Sequence, residues 1–131
     1  MELWTAAQMK SIERMLNPRS IAIVGASEKG GGYGARLLSA VLRSKDRIPV
    51  YPVNPNHAEI MGVPAFRSVS DLPQAPDLVG VVVPHHQVLP VVEECHRQGS
   101  GPAVVLSAGF AERGTDNRLD LERRLATFTR E

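Results

Sequence analysis

Two short stretches, Ile21-Ala22-Ile23-Val24 and Leu78-Val79-Gly80-Val81-Val82-Val83, carry no polar side chain. A strand with one wet face alternates apolar and polar residues. Unbroken apolarity over so few residues calls for cover on both faces, which is the condition of a parallel sheet with helices on each side. The first run closes on Gly25 and the second on Pro84. They predict strands over residues 20–25 and 78–83, the first and fourth of the chain.

The segments around these runs supply the rest of the pattern. Residues 26–32 form a glycine-rich loop, and residues 33–44 read as a helix with Leu37, Leu38 and Val41 on one side. A second strand is expected over 49–53. It is short, because Pro49 and Pro52 cannot donate ladder hydrogen bonds. Asn54-Pro55-Asn56-His57 is a turn, and residues 63–66 predict a very short edge strand, the third. A helix over 86–98 places Val88, Val91, Val92 and Cys95 at i, i+3, i+4 and i+7, with Gly99 as its C-cap glycine. A fifth strand follows over 102–106. The charged stretch 116–130 has Leu121, Leu125 and Phe128 at helical spacing.

Ahead of the first strand, residues 5–16 predict a helix. Thr5 and Gln8 match a capping box, and Trp4 and Met9 stand where a hydrophobic staple would form. Met9, Ile12 and Leu16 make one apolar stripe, and Asn17-Pro18 ends the helix.

Strand and helix alternating in this way predict an α/β fold with a doubly wound parallel sheet, strand order 3-2-1-4-5, preceded by the N-terminal helix. The chain reads as one domain over 1–131: helix over 1–17, motif-bearing core over 18–114, C-terminal helix over 115–131. No sixth strand follows, so the expectation is a piece of a longer polypeptide.

Composition removes several classes of function. Fifteen Lys and Arg against fourteen Asp and Glu leave a formal charge of +1, so no global field drives the chain onto nucleic acid or an anionic membrane. Cys95 is the single cysteine and can make neither an internal disulfide nor a zinc anchor. No apolar run is long enough to span a membrane, and residues 1–10 lack the apolar core of a signal peptide. The expectation is a cytoplasmic protein with neither a nucleic-acid nor a membrane partner; a homo-oligomer stays open.

In a sheet of this order, ligands bind outside the carboxyl ends of the strands, at the switch point between the first and fourth. Four loops converge there: residues 25–34, 53–55, 83–86 and 107–110. The first, Gly25-Ala26-Ser27-Glu28-Lys29-Gly30-Gly31-Gly32-Tyr33-Gly34, joins a strand to a helix. Small residues let its backbone approach a phosphate, and the helix start offers free N–H groups. The same glycines would also serve a plain flexible loop. Gly34 permits close packing of the helix on the first strand.

The nicotinamide fingerprint is not met. It needs glycine at Ser27 and a carboxylate after the second strand, where the chain has Val53-Asn54-Pro55. His85 and His86 open a helix at the mouth of the fourth strand, as ligand contacts or as exposed residues. His57 falls in a turn and His96 in a late helical turn, neither with a partner visible in sequence. Glu112 follows the loop after the fifth strand, and one acid is not a mechanism; Cys95 belongs to the apolar stripe. No catalytic set or metal set can be assembled, so the catalytic and metal positions are none.

Asn17-Pro18-Arg19-Ser20-Ile21-Ala22-Ile23-Val24-Gly25-Ala26-Ser27 resembles the opening of the NDP-forming acyl-CoA synthetases, the relatives of ADP-forming acetyl-CoA synthetase and of the succinyl-CoA synthetase alpha subunit. The likeness continues through Val50-Tyr51-Pro52-Val53-Asn54-Pro55, Glu59-Ile60-Met61-Gly62, Asp71-Leu72-Pro73, Val81-Val82-Val83-Pro84 and Ser107-Ala108-Gly109-Phe110-Ala111-Glu112. It implies a Rossmann-like domain that binds coenzyme A. Gly25, Ala26, Ser27, Lys29 and Gly30 would lie at its phosphates, with Arg36 near the loop. Val53, Asn54 and Pro55 would lie by its adenosine, and Val83, Pro84, Ser107, Ala108 and Gly109 along its pantetheine arm. Two positions depart from the family pattern: Asn56, where a lysine often follows the Asn-Pro turn, and His85, where a small residue is usual.

The family reaction joins an acid to CoA at the expense of a nucleoside triphosphate, through an acyl phosphate and a phosphohistidine. The resemblance places that histidine in a following domain and the nucleotide in an ATP-grasp domain or subunit, so none of the four histidines here inherits the role. Two alternatives stay open beside this acid–thiol ligase reading: a free-standing CoA- or nucleotide-binding regulatory module, and an NAD(P)-binding Rossmann domain.

Overall fold

The computed structural model describes residues 4–27 and 33–106. Four strands form one parallel sheet in the order β2-β1-β5-β6, with β1 Ile21–Val24, β2 Val50–Val53, β5 Leu78–Val81 and β6 Ala103–Val105. Ile21 lies opposite Val50 on one side and Leu78 on the other, and Gly80 lies opposite Val104. This is the predicted doubly wound arrangement, with the two unbroken apolar runs as the paired central strands.

Its faces are covered from opposite sides. Helix α2, Tyr33–Val41, continues into a 3-10 turn, Leu42–Ser44. It brings Leu38 against Ile23, Ala26, Val50 and Ile60, with Leu37, Val41 and Leu42 around them. Gly80 makes room on that face: a Cβ there would stand 3.0 Å from Leu37 and 3.1 Å from Ile23 side-chain carbons. Helix α3, His85–Arg97, covers the other face, where Val88 and Cys95 join Ala22, Val24, Val53, Val69, Val79 and Val81. Its end is a Schellman motif: Gly99 has φ +73°, Ser100 N donates to Cys95 O at 3.0 Å and Gly99 N to His96 O at 3.1 Å. Pro90 lies inside α3.

The third strand is where sequence expectation and structure part. Val63–Pro64 is β4 of a small antiparallel hairpin with β3, Glu59–Ile60. Met61 and Gly62 take φ of 52° and 76° at its turn, the positive pair that a two-residue hairpin needs. Only Phe66 reaches the main sheet, as a one-residue parallel bridge to Val53. Its N–H donates to Pro52 O at 2.9 Å and its carbonyl accepts from Asn54 N at 2.8 Å. The order 3-2-1-4-5 survives with its edge member reduced to that bridge, because residues 63–64 spend their pairing on the hairpin.

Helix α1, Ala6–Leu16, has its capping box: Gln8 N donates to Thr5 Oγ1 at 3.1 Å and Thr5 N to Gln8 Oε1 at 2.8 Å. It buries no residue. Trp4 and Met9 stand 55% and 61% exposed, so the pair expected to clip the helix start is largely in solvent. What ties α1 down is Arg14, whose Nε and Nη2 donate to Asp77 Oδ1 at 3.2 and 3.0 Å. The C-terminal helix expected over 116–130 lies outside the described residues. No described helix is long and apolar enough to cross a membrane.

Candidate functional site

A cleft of about 400 Å³ opens at the carboxyl ends of β1, β2 and β5, where the topology places a ligand. Its floor is the strand ends themselves. Gly25 N donates to Val53 O at 3.0 Å and Val82 N to Val24 O at 2.8 Å, which holds the three chain exits side by side. Gly25 has φ +94°, and a Cβ there would collide with the Val82 carbonyl. The glycine is therefore required by the approach of two strand ends. This requirement stands beside the expectation that the residue lets a ligand's phosphate approach the backbone. Gly34 behaves as predicted: a Cβ on this first turn of α2 would strike the Gly25 carbonyl.

Asn54 braces the cleft. Its Nδ2 donates to Ala26 O at 2.9 Å and its Oδ1 accepts from Asn56 N at 2.8 Å. One side chain thus locks the exit of β2 to the exit of β1 and shapes its own turn. A carboxylate here could accept from Asn56 N but could not donate to Ala26, so the residue type suits the brace and leaves no acid for a ribose diol.

Among the described residues expected to meet a ligand, Gly25, Val53, Asn54, Pro55, Val83 and Pro84 line the cleft together. Ala26 is fully buried behind it and Ser27 half-buried beside it. Lys29, Gly30, Ser107, Ala108 and Gly109 lie outside the described residues, so this structure tests none of those assignments. Arg36 is exposed on α2, outside the described lining. His85 and His86 begin α3 with their rings edge to face at 5.5 Å, and neither is among the described lining residues.

The far walls were not anticipated. Arg67, Ser68 and Val69 form one, and Gln87, Val91 and Glu94 of α3 form the other. A signal existed for the first: the rule that ligands meet strand ends, applied to the edge strand as well as to the others, leads to residue 67. Glu94 is held through Oε1, which accepts from Ser70 N at 2.9 Å and Ser70 Oγ at 3.2 Å. Ser68 Oγ donates to Asp71 Oδ2 at 3.1 Å. Burial, reinforced by the Glu94 charge, pushes the Cys95 thiol up to about 11, so it stays protonated as part of the core. Among the described residues no group of three His, Cys, Asp or Glu could hold a metal ion. Apolar valines and prolines, two amide side chains of a turn, one cation and one carboxylate make a surface suited to holding an extended, partly anionic ligand.

Known proteins share this fold. The family described as CoA binding domain matches residues 19–127. The chain is 40% identical over 114 residues to acetate–CoA ligase (ADP-forming) I of Archaeoglobus fulgidus, covering 87% of itself and 16% of that relative. A dinucleotide-forming acetyl-coenzyme A synthetase 1 of Ca. Korarchaeum cryptofilum, solved with phosphate and ADP, superposes with a TM-score of 0.79 at 38% identity, over 89% of this chain and 25% of that one. A conserved hypothetical protein from Pyrococcus furiosus superposes with a TM-score of 0.65 at 32% identity, over 83% of this chain and 86% of that one. The chain thus spans about a sixth of the ligase's length, yet most of the smaller protein's.

Proposed function

The chain belongs to the CoA binding domain family, and on that premise we propose that it supplies the coenzyme A site of an NDP-forming acyl-CoA synthetase, a cytoplasmic acid–thiol ligase. The family match over residues 19–127 carries the reading, and the strand-end cleft supports it. In this proposal the CoA phosphates sit over Gly25, Ala26 and Ser27, with Lys29 and Gly30 beside them. The adenosine lies along Val53, Asn54 and Pro55, and the pantetheine arm passes Val83 and Pro84 toward Ser107, Ala108 and Gly109. The acyl phosphate, the phosphohistidine and the ATP-grasp fold belong to other parts of the assembly. This chain contributes the thiol substrate's handle and its orientation.

Calorimetric titration of the 131-residue chain with CoA, NAD and NADP tests the reading. CoA is expected to bind more tightly than either dinucleotide, because the end of β2 offers no carboxylate to a ribose diol. Tighter binding of NAD would overturn it. Acid, CoA and ATP mixed with the pure chain are expected to yield no thioester.

One observation favours a second reading, a free-standing CoA-binding module: the Pyrococcus furiosus protein is matched over 86% of its length. The gene sequence downstream of the Glu131 codon separates the two. Further ligase domains there, or an adjacent gene for an ATP-grasp subunit, support the synthetase.

A further inference from the structure

In a sheet of this order the ribose of an adenine nucleotide sits at the carboxyl end of the second strand, and an arginine nearby accommodates a phosphate on that ribose. The end of β2 is occupied by Asn54, both ends of whose amide are engaged with Ala26 O and Asn56 N. The cation beside it is Arg67. Phe66 is bonded on both sides to β2, through Pro52 O and Asn54 N, so the next residue emerges against the Asn54-Pro55-Asn56 turn, on the wall of the cleft.

Three features fit Arg67 to an anion. It is exposed, so its charge is already at the cleft's mouth. The one salt bridge among the described residues is Arg14 with Asp77, which leaves the Arg67 guanidinium without a carboxylate partner there. It is also the only Lys or Arg among the described lining residues, and the single lining carboxylate, Glu94, is held by Ser70. A guanidinium presents a planar fork of donors that matches two phosphate oxygens at once.

We propose that Arg67 recognises a phosphate on the ribose of the bound adenosine and thereby sets a preference for coenzyme A over dephospho-coenzyme A. This rests on the CoA reading above and adds to it the residue that reads the 3′-phosphate. The 2′-phosphate of NADP offers the same chemistry, so the test includes it.

Affinities of wild type, Arg67→Gln and Arg67→Lys for CoA, dephospho-CoA, NADP and NAD are measured by calorimetry at low and high salt. Wild type is expected to prefer CoA to dephospho-CoA. Arg67→Gln should weaken CoA binding about tenfold or more while leaving dephospho-CoA within about twofold, as for loss of a charged hydrogen-bond pair. Arg67→Lys should fall between, keeping the charge and losing the fork. The preference should shrink with salt, because an exposed pair is screened. Dephospho-CoA binding also reports that each variant is folded. Equal wild-type affinity for the two forms, or an equal fall in both for Arg67→Gln, overturns the assignment and leaves the CoA reading standing. A loss confined to NADP overturns the assignment to the 3′-phosphate. Wild type binding neither CoA nor dephospho-CoA overturns the CoA reading, and this assignment with it.

Discussion

The sheet with its covering helices and the helix in front of it are both marked by apolar patterns in the sequence, and they meet opposite fates. Ile23, Leu38, Val79, Val81 and Val88 are 0–1% exposed, whereas Met9, Ile12 and Leu16 are 61%, 36% and 75% exposed. The central strands are enclosed because α2 and α3 arrive on opposite faces from the segments that directly follow β1 and β5. Helix α1 has no such neighbour among the described residues and hangs on one ion pair. A periodic stripe states that a face is apolar. Whether something covers it depends on what the rest of the fold delivers there.

Four substitutions sharpen that contrast. The largest effect should come from Gly25→Val, which meets two obstacles: a φ of +94° and the Val82 carbonyl in the space a Cβ would need. A loss of about 3 kcal/mol or more is expected, read from the urea midpoint. CoA binding should disappear together with the fold. A folded Gly25→Val that fails only to bind would return this glycine to the ligand.

Next comes the tether. Asp77 accepts from Arg19 N at 2.8 Å as well as from Arg14. The Arg19 N–H, chiefly, and then the Arg14 guanidinium hold its carboxyl below the ordinary 3.8 against the opposing effect of burial. A carboxyl depressed in the folded state contributes stability that is whole above its unfolded pKa and is lost as pH falls through the folded one. Asp77→Asn should therefore cost about 1 kcal/mol at neutral pH and nearly nothing at the acid end, so its urea midpoint should converge on wild type there. A constant gap across that range would mean the charge is not what holds α1.

The smallest effects belong to α1 itself. Thr5→Ala removes the capping box and should weaken the helix by about 1 kcal/mol locally. Hydrogen exchange should register this at residues 6–9, without a shift in the global midpoint. Ile12→Ser should change global stability by no more than about 0.5 kcal/mol, as for an exposed position. A larger loss would show that the stripe is covered in solution and would erase the contrast between the two regions.

Much of the site was legible because it follows from local rules. Val53, Asn54, Pro55, Val83 and Pro84 were placed by counting to the ends of apolar runs. Gly34 was legible because a helix packed on the strand before it cannot carry a Cβ at that turn. Arg67 was legible only as the residue after the expected edge strand; that it stands against the end of β2 depends on a hairpin of residues 59–64 that shortens the edge strand to Phe66 and delivers the following residue to the cleft. The role of Asn54 was hidden for a similar reason: its partner, the Ala26 carbonyl, is 28 residues away in sequence.

The sequence by itself determined the order and hand of the sheet, since unbroken apolar strands joined by helices have few ways to bury both faces. It also determined the start of α1 and the end of α3, where the Thr5 side chain and Gly99 each act within one turn. Only the tertiary structure decided that Gly25 answers to Val82, that Asn54 braces two strand exits, that Arg67 stands at the end of β2 and that no described residue buries the α1 stripe. Each of these is a contact between residues distant in the chain, and no local periodicity carries information about a partner that folding has yet to bring into place.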